Sequence, residues 1–456
     1  MFVGRLVELE HLSKYLSIDR PQMVRVLGRR RVGKTDLLLK FLEGREARYL
    51  LVPDLEPPLQ LQALGGQLSA GLGAGPKVYG SWDTFLDDLE EDRRPLVVFD
   101  EFQNLLRSGS PFLSRLQDRW DRRWQRTGPS LILCGSSIGM MQRLSDAKGA
   151  PLFGRLTADF HVRPLPYREA RDFHPQLPEE ERVRRFAVFG GTPFYQSFAL
   201  RKTLGEAIEL AFLLPQAPLR DEPEALLRQE FSDPTRANSI LQQVGAGTPS
   251  LHDLETRLGV PHGGLSYYLR ILENDMDLLQ RSQPVLRAQR LGRYQLLDPM
   301  LRFYYRFIGP HLDLIAQGHV DEVRRRIEQD LESYVGQVFE EVALEWLAGR
   351  PEVEGRRLDA RQLGRWWDRT GNEIDVVAVG EREVWVGEVK WSSQPEGERT
   401  VYRLLEKLPF LGRFPDKVVR PFLLSRGGVD EGAEKALRRS GGFSLTLDHL
   451  SAAFAR

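Results

Sequence analysis

The first 160 positions carry short, largely apolar runs separated by helical stretches. Met23–Leu27, Tyr49–Val52, Pro95–Phe99 and Leu131–Cys134 each read as a buried strand. Arg5–Leu16 and Lys34–Leu42 show the spacing of amphipathic helices. Unbroken rather than alternating strands between helices predict a parallel sheet covered on both faces. From Tyr167 to about Leu213 the pattern is helical, broken and restarted at Gly190-Gly191-Thr192-Pro193. Gln216 to Pro234, rich in proline and acid, reads as a linker. Residues 236–310 read as three short helices followed by two strands. A long helix, Arg324–Trp346, then leads to strands around 365–391 and mixed α/β sequence. No repeat of 20–50 residues and no low-complexity segment interrupts this order.

The 456 residues correspond to roughly three domains. With 41% apolar and 28% charged residues the composition is that of a globular protein, which excludes a disordered or fibrous chain. Lys+Arg and Asp+Glu are both 64, so net charge says nothing about nucleic acid, but residues 236–310 hold 9 basic and 6 acidic side chains and 311–456 hold 22 and 26. Only 10 of the basic residues are lysines. A lysine where chemistry needs a compact point charge therefore stands out. The single cysteine, Cys134, allows neither an internal disulfide nor a cysteine metal site. No apolar run approaches the ~18 residues of a membrane span, and the N-terminus lacks a signal-peptide core. The expected compartment is the cytoplasm, with no membrane partner.

Gly28-Arg29-Arg30-Arg31-Val32-Gly33-Lys34-Thr35 fills every fixed position of G-x-x-x-x-G-K-[ST], after a strand and at the start of a helix. Such a loop turns its backbone N–H groups, from Gly28 through Arg31, Val32 and Gly33, onto phosphate oxygens at a helix N-terminus. Lys34 is placed to reach the β- and γ-phosphates and Thr35 to ligate Mg2+. Leu96–Phe99 delivers Asp100 and Glu101 at a strand end, where open α/β sheets bind ligands. Asp100 is expected to hold Mg2+ through water and Glu101 to polarise the attacking water. Ser136, ending the next strand, is placed either to sense the γ-phosphate or to cap the following helix. Arg155, in Pro-Leu-Phe-Gly-Arg, is a candidate finger for a neighbouring subunit's phosphate, which would make the protein a homo-oligomer.

Several of these motifs keep a common order: Phe2-Val3-Gly4-Arg5 with Glu8-Leu9, Asp100-Glu101-Phe102-Gln103, Gly135-Ser136-Ser137, Pro151–Arg155 and Gly190–Pro193. Over the first ~200 residues the chain resembles the archaeal-type ATPases of the AAA+/STAND group. That resemblance implies an ATP-fuelled switch or motor with a helical lid.

Residues 236–310 fit a winged helix. Ser250–Asp253 is a capping-box-like start. Leu254, Leu258 and Val260 suit a short buried helix and turn, and Leu265, Leu269 and Leu272 line one face of the next helix. Arg281, Arg287, Arg290 and Arg293 cluster in the expected wing. They serve either phosphate contacts with a DNA duplex or protein packing with solvated arginines.

Gly371–Val379 and Val384–Trp391, β-rich and joined by the short polar turn Gly380–Glu383, form a β-hairpin. With the turn centred on Glu381-Arg382, Asp375 and Glu388 sit opposite each other, and Lys390 projects on the same face. Two carboxylates and an ammonium there suit a Mg2+ or Mn2+ ion and phosphodiester cleavage, with Lys390 orienting or activating water. Glu340, on the helix upstream, supplies a further acid. Gly336-x-x-Phe339-Glu340 followed by Asp-x12-Glu-x-Lys resembles the PD-(D/E)xK nucleases. In particular it resembles the DUF234-type domain that follows the ATPase and winged helix in archaeal-type ATPases. The "PD" dipeptide is absent, Ile374-Asp375 standing in its place, and such domains also persist as inactive DNA-binding platforms.

The expected fold is multidomain α/β. A P-loop ATPase core (1–165) precedes a helical lid and linker (166–235), a winged helix (236–310) and a restriction-endonuclease-like domain (311–456). The expected function is ATP-dependent action on DNA with metal-dependent cleavage; the alternative is an ATP-controlled switch whose C-terminal domain only binds DNA or protein.

Overall fold

A computed structural model describes residues 2–71, 77–92, 94–107, 109–145, 148–286, 291–353, 355–357 and 360–454. Five strands form the first sheet: β1 (Met23–Leu27), β2 (Ala47–Leu51), β3 (Leu96–Asp100), β4 (Ser130–Gly135) and β5 (Ala158–His161). Their order is β2-β3-β4-β1-β5 and every pairing is parallel. Strands β1 and β3 are buried at all five positions. Met23, Leu27, Val97, Phe99, Leu131 and Leu133 pack on one face, while Val24, Val26, Leu96, Val98, Ile132 and Cys134 pack on the other. A strand covered on both faces favours apolar residues at every position, and Arg25 is accommodated in β1 by its pairing with Asp159. Parallel pairing also brings the ends of β3, β4 and β1 to one sheet edge, side by side.

Helices Glu179–Phe189 and Pro193–Ala199 occupy the segment expected as a lid, with the expected break between them. Gln216 to Pro234 is not a solvated linker. It contains the helix Glu222–Leu227, which buries Glu222, Pro223, Leu226 and Leu227. Apolar anchors and a satisfied carboxylate outweighed the local proline and acid signal.

Helices Thr235–Gly245, Leu251–Arg257 and Ser266–Arg270 precede an antiparallel pair, β6 (Leu279–Ser282) and β7 (Arg293–Leu296). The capping box is present: Asp253 N donates to Ser250 Oγ (3.2 Å) and Ser250 N to Asp253 Oδ2 (2.8 Å). Leu254, Leu265, Leu269 and Leu272 are buried. Arg287 and Arg290 lie outside the described residues. Arg293 is held at the C-terminal sheet, 4.8 Å from the Trp367 ring and 3.2 Å from Glu373. Trp367 Nε1 donates to the Leu291 carbonyl at 2.9 Å and Val285 N to that of Arg365 at 2.9 Å. This hairpin is therefore docked onto its own chain.

A small pair, β8 (Glu352–Val353) and β9 (Arg356–Arg357), precedes the second sheet. That sheet comprises β10 (Gln362–Trp367), β11 (Glu373–Val379), β12 (Glu383–Lys390), β13 (Val418–Ser425) and β14 (Phe443–Leu445), in sequence order. The first three run antiparallel, and β12, β13 and β14 are parallel. The helix Val320–Ala348 packs Val338, Phe339 and Trp346 toward Val376, Ala378 and Trp385. Helices Glu398–Lys407 and Glu431–Arg439 cover the opposite face, against Val377, Val384 and Val386. One apolar cluster runs from Tyr167 to Leu450, joining the lid, middle and C-terminal stretches. The buried Tyr334 hydroxyl stitches them further, lying 2.9 Å from the Ala187 carbonyl and 2.7 Å from that of Pro299. No helix among the described residues is long and apolar enough to cross a membrane.

Candidate functional site

The loop after β1 takes the geometry its glycines require. Gly28 has φ +157°, Gly33 φ +88°, and Arg31, without a glycine's freedom, φ +71°. Lys34 opens the helix Lys34–Leu42 and is buried, its Nζ donating to the Arg29 carbonyl at 3.1 Å. Burial lowers its pKa, the desolvation cost that a bound phosphate would relieve. Thr35 Oγ1 donates to Asp100 Oδ2 at 2.7 Å, joining the ends of β1 and β3 across β4. Glu101 follows in left-handed backbone, φ +55°. Its Oε2 accepts from Ser136 Oγ (2.9 Å) and from Gln103 Nε2. Ser136 thus meets the acid rather than merely capping a helix; β4 lies between β3 and β1, so its end arrives between them.

A cavity of about 400 Å3 opens over these groups, lined by Gly33, Lys34, Thr35, Glu101 and, from the lid, Pro193 and Phe194. A smaller cavity, about 270 Å3, adjoins it, lined by Phe2, Val3, Phe173 and Pro193. Both cavities have mixed linings: Lys34, Thr35 and Glu101 in the first suit a phosphate chain, while the second sets Phe2, Val3 and Phe173 beside the charged Arg5, Asp36, Lys40 and Glu43. The lid is fastened close: Gly191 packs so tightly on the Leu165 carbonyl that a Cβ would overlap it.

Two loop arginines are clamped. Arg29 donates to Thr192 Oγ1 (2.8 Å) and pairs with the buried Asp298, while Arg31 pairs with the buried Glu222 and stacks 4.1 Å from the Phe194 ring. Tyr195 donates to the same Glu222 at 2.8 Å. Arg155 is also engaged. Its Nε and Nη2 fork onto Asp121 at 2.7 and 2.6 Å, and Nη1 donates to the carbonyls of Pro151 and Phe153. A finger role would require that fork to open.

On the second sheet the hairpin register places the turn where the sequence put it. Val379 faces Val384 and Val376 faces Gly387, which extends to Asp375 opposite Glu388. Asp375 Oδ2 accepts from Val389 N at 2.8 Å and lies 3.9 Å from Lys390 Nζ. Lys390 donates to Glu388 Oε1 at 2.7 Å, and Lys407 donates to Glu388 Oε2 at 3.1 Å. Glu340 comes from the helix on the other sheet face and pairs with Arg365 at 3.0 Å. Burial, then the nearby Asp375, pushes Glu340 up to about 8. Burial, then Glu388, raises Asp375 to about 6. Burial opposes the Lys390 charge, but Glu388 and Asp375 outweigh it and raise the pKa. Lys390 is therefore a standing cation, suited to orienting a phosphate or water and not to removing a proton.

The expected metal set of Glu340, Asp375 and Glu388 does not assemble. Among the described residues no three His, Cys, Asp or Glu side chains converge on a possible ion position. Each of these acids has a hydrogen-bonding or basic partner: Val389 N for Asp375, Lys390 and Lys407 for Glu388, and Arg365 for Glu340. Thr35 and Asp100, two oxygen donors at one chamber, do fit Mg2+ beside a phosphate chain.

Residues 60–195 match an ATPase domain found predominantly in Archaea, and residues 304–401 match DUF234, a family of archaeal and bacterial proteins of unknown function. The chain thus carries an ATPase domain of the archaeal type followed by a DUF234 domain. This ATPase is 29% identical over 408 residues to an uncharacterized protein of Methanocaldococcus jannaschii, across 88% of this chain and 90% of that one. A 48-residue stretch is 44% identical to an uncharacterized ATP-binding protein of the same organism, covering 10% of this chain and 81% of that protein. The solved Walker-type ATPase of Pyrococcus abyssi aligns with TM-score 0.53 and 20% identity, over 67% of this chain and 96% of that one, and so shares its fold.

Several residues of the ATPase escaped sequence reasoning. Arg5 is buried, with φ +66°, and its Nη2 donates to the carbonyls of Val32 (2.9 Å) and Arg163 (2.6 Å). It braces the phosphate loop from behind, which gives a physical role to the Val-Gly-Arg entry. Tyr49 donates to Asp100 Oδ2 at 2.6 Å, and burial followed by this bond raises its pKa. A tyrosine in the middle of the half-buried strand β2 was the available signal. Glu222, Asp298 and Lys407 carried no local signal.

Proposed function

We propose that this ATPase hydrolyses ATP at Lys34, Thr35, Asp100 and Glu101 and uses the cycle to control DNA binding by its DUF234 domain. The observation that carries the first half is the Thr35–Asp100 hydrogen bond beside buried Lys34, in the chamber that Glu101 also lines. Lys34 and the loop N–H groups of Gly28, Arg31, Val32 and Gly33 hold phosphate oxygens. Bound Mg2+, held by Thr35 and Asp100, would neutralise charge on the β- and γ-oxygens. Glu101 orients the water, and Ser136 and Gln103 fix that carboxylate. The expected result is that Lys34→Ala loses ATP binding in an equilibrium titration with a fluorescent ATP analogue. Tight, Mg2+-dependent binding in that variant would overturn this assignment.

For the second half, the helix with Glu340 and the hairpin with Asp375 opposite Glu388 support a PD-(D/E)xK-like fold. Residues 236–310 are read as a winged helix whose hairpin serves packing, since Arg293 is spent on Trp367 and Glu373. A cleft of about 660 Å3 is lined by Asn372, Lys390, Thr400, Arg403 and Lys407. Glu388, Glu396 and Glu406 line it too, so its three cations face three carboxylates, and a phosphodiester backbone would have to draw Lys390, Arg403 and Lys407 from among them. Binding is favoured over cutting because Lys390 and Lys407 already neutralise Glu388. The rival reading is a Mg2+- or Mn2+-dependent nuclease using Asp375, Glu388 and Lys390. Plasmid nicking with Mn2+ separates them: we expect equal background from wild type and Lys390→Ala, with weaker DNA retention by the variant. Nicking by wild type that Lys390→Ala abolishes would establish the nuclease instead. A homo-oligomer completed by Arg155, in the cytoplasm, is compatible with this scheme only once Arg155 leaves Asp121.

A further inference from the structure

Three consecutive arginines, Arg29, Arg30 and Arg31, fill the phosphate loop, and the structure treats them unequally. Arg29 is tied to Asp298 and Thr192, and Arg31 to Glu222. Arg30 makes no ion pair or hydrogen bond among the described residues, and its side chain is exposed. It lines the chamber that holds Lys34, Thr35 and Glu101. It also lines a second cavity of about 680 Å3 that holds Glu101, Gln103, Ser136 and Ser137. Arg30 is therefore shared by the phosphate side and the water side of Glu101. Its charge is near enough to Lys34 to disfavour that ammonium. An unpaired guanidinium beside a second cation is unfavourable until an anion arrives between them.

We infer that Arg30 is a catalytic residue for the ATP hydrolysis proposed above, contacting the γ-phosphoryl group from within its own chain. In that step the water oxygen bonds to the γ-phosphorus and its proton passes to the Glu101 carboxylate. The bond to the β–γ bridging oxygen breaks, and its electron pair leaves with ADP. Charge accumulates on the γ-oxygens and the bridging oxygen as the bond breaks, and a planar fork can contact both at once. Arg29 and Arg31 cannot turn to this task without abandoning buried carboxylates. Arg155 is committed to Asp121 by two forked bonds. The neighbours on either side of Arg30 are clamped, so its backbone is held while its side chain remains free, an arrangement that presents a guanidinium without tying it down.

This inference rests on the ATPase reading, and one experiment separates their failures. Steady-state ATP hydrolysis is measured for wild type, Arg30→Ala and Arg30→Lys, together with affinity for a non-hydrolysable ATP analogue. Arg30→Ala is expected to lower kcat by about 10²–10³-fold, as loss of one preorganised charge donor does, with analogue affinity changing less than about threefold. Arg30→Lys should recover only part of the rate, because an ammonium restores charge without the fork. A wild type that binds but does not hydrolyse ATP overturns the ATPase reading itself. An active wild type with Arg30→Ala within threefold of it overturns the Arg30 assignment alone. A fall in kcat matched by an equal fall in analogue affinity overturns it too, since Arg30 would then only bind ground-state ATP.

Discussion

Asp298→Asn should be among the more destructive single-atom changes in this protein. Asp298 lies 269 residues from Arg29, yet their side chains are 1% and 5% exposed and form an ion pair. Arg29 Nε and Nη1 have no hydrogen-bond partner, so the charge depends on Asp298, with help from Thr192. Asparagine keeps an acceptor for the Met300 N–H, which Asp298 Oδ1 now holds at 2.8 Å, so the helix cap survives. What is lost is the charge facing a desolvated guanidinium, and breaking one side of such a pair costs about 3–5 kcal/mol. Arg29→Met should cost a similar amount. The double variant should be far less damaged than the sum, leaving a coupling of about 2–3 kcal/mol. Urea unfolding followed by tryptophan fluorescence measures all three, and hydrogen exchange at residues 28–33 should speed up in Asp298→Asn. A single-variant loss under about 1 kcal/mol, or strictly additive losses, would refute the idea that this pair fastens the phosphate loop to the segment after the hairpin.

Two other outcomes follow from the same geometry. Tyr49→Phe removes a neutral donor to Asp100, worth about 0.5–1.5 kcal/mol. The Mg2+ concentration for half-maximal ATPase activity should shift several-fold while metal-free ADP affinity holds; an unchanged Mg2+ profile would exclude a positioning role for Tyr49. Glu340 and Asp375 have folded-state pKa values raised to about 8 and about 6. A raised carboxylic pKa means the folded state holds its proton more tightly. That contribution is fully present below the unfolded values near pH 4 and is lost as pH rises through 6 and then 8. The urea midpoint of the C-terminal transition should therefore fall between pH 5 and 9, and Glu340→Gln should flatten its upper part. A midpoint that rises with pH in wild type would contradict the sign.

The hairpin shows how far pattern alone reaches. Two β-rich segments and a short polar turn sufficed to centre it between Glu381 and Arg382 and to set Asp375 opposite Glu388, because register within a hairpin is decided by its turn. The third acid failed for the opposite reason. Glu340 was assigned to the same ion from its position on a helix, but which way that carboxylate turns depends on Arg365, and no periodicity reports that pairing. The segment 216–234 failed similarly. Its prolines and acids resemble a solvated connection until Glu222 is seen buried beneath Arg31 and Tyr195.

Local order determined the parallel sheet, the phosphate loop, the acids at the end of β3 and the hairpin register. Each is set by residues within one element or one turn of each other, where burial and backbone sterics act on neighbours in the chain. Tertiary structure alone decided which of three adjacent arginines remains free, that Arg293 of the hairpin packs onto the second sheet, and that two lysines rather than one hold Glu388. Those outcomes depend on carboxylates and rings brought in from as far as 269 residues away. A charge does not record in its own sequence neighbourhood which distant partner will neutralise it, and that pairing separates a clamped arginine from one free to meet a phosphate.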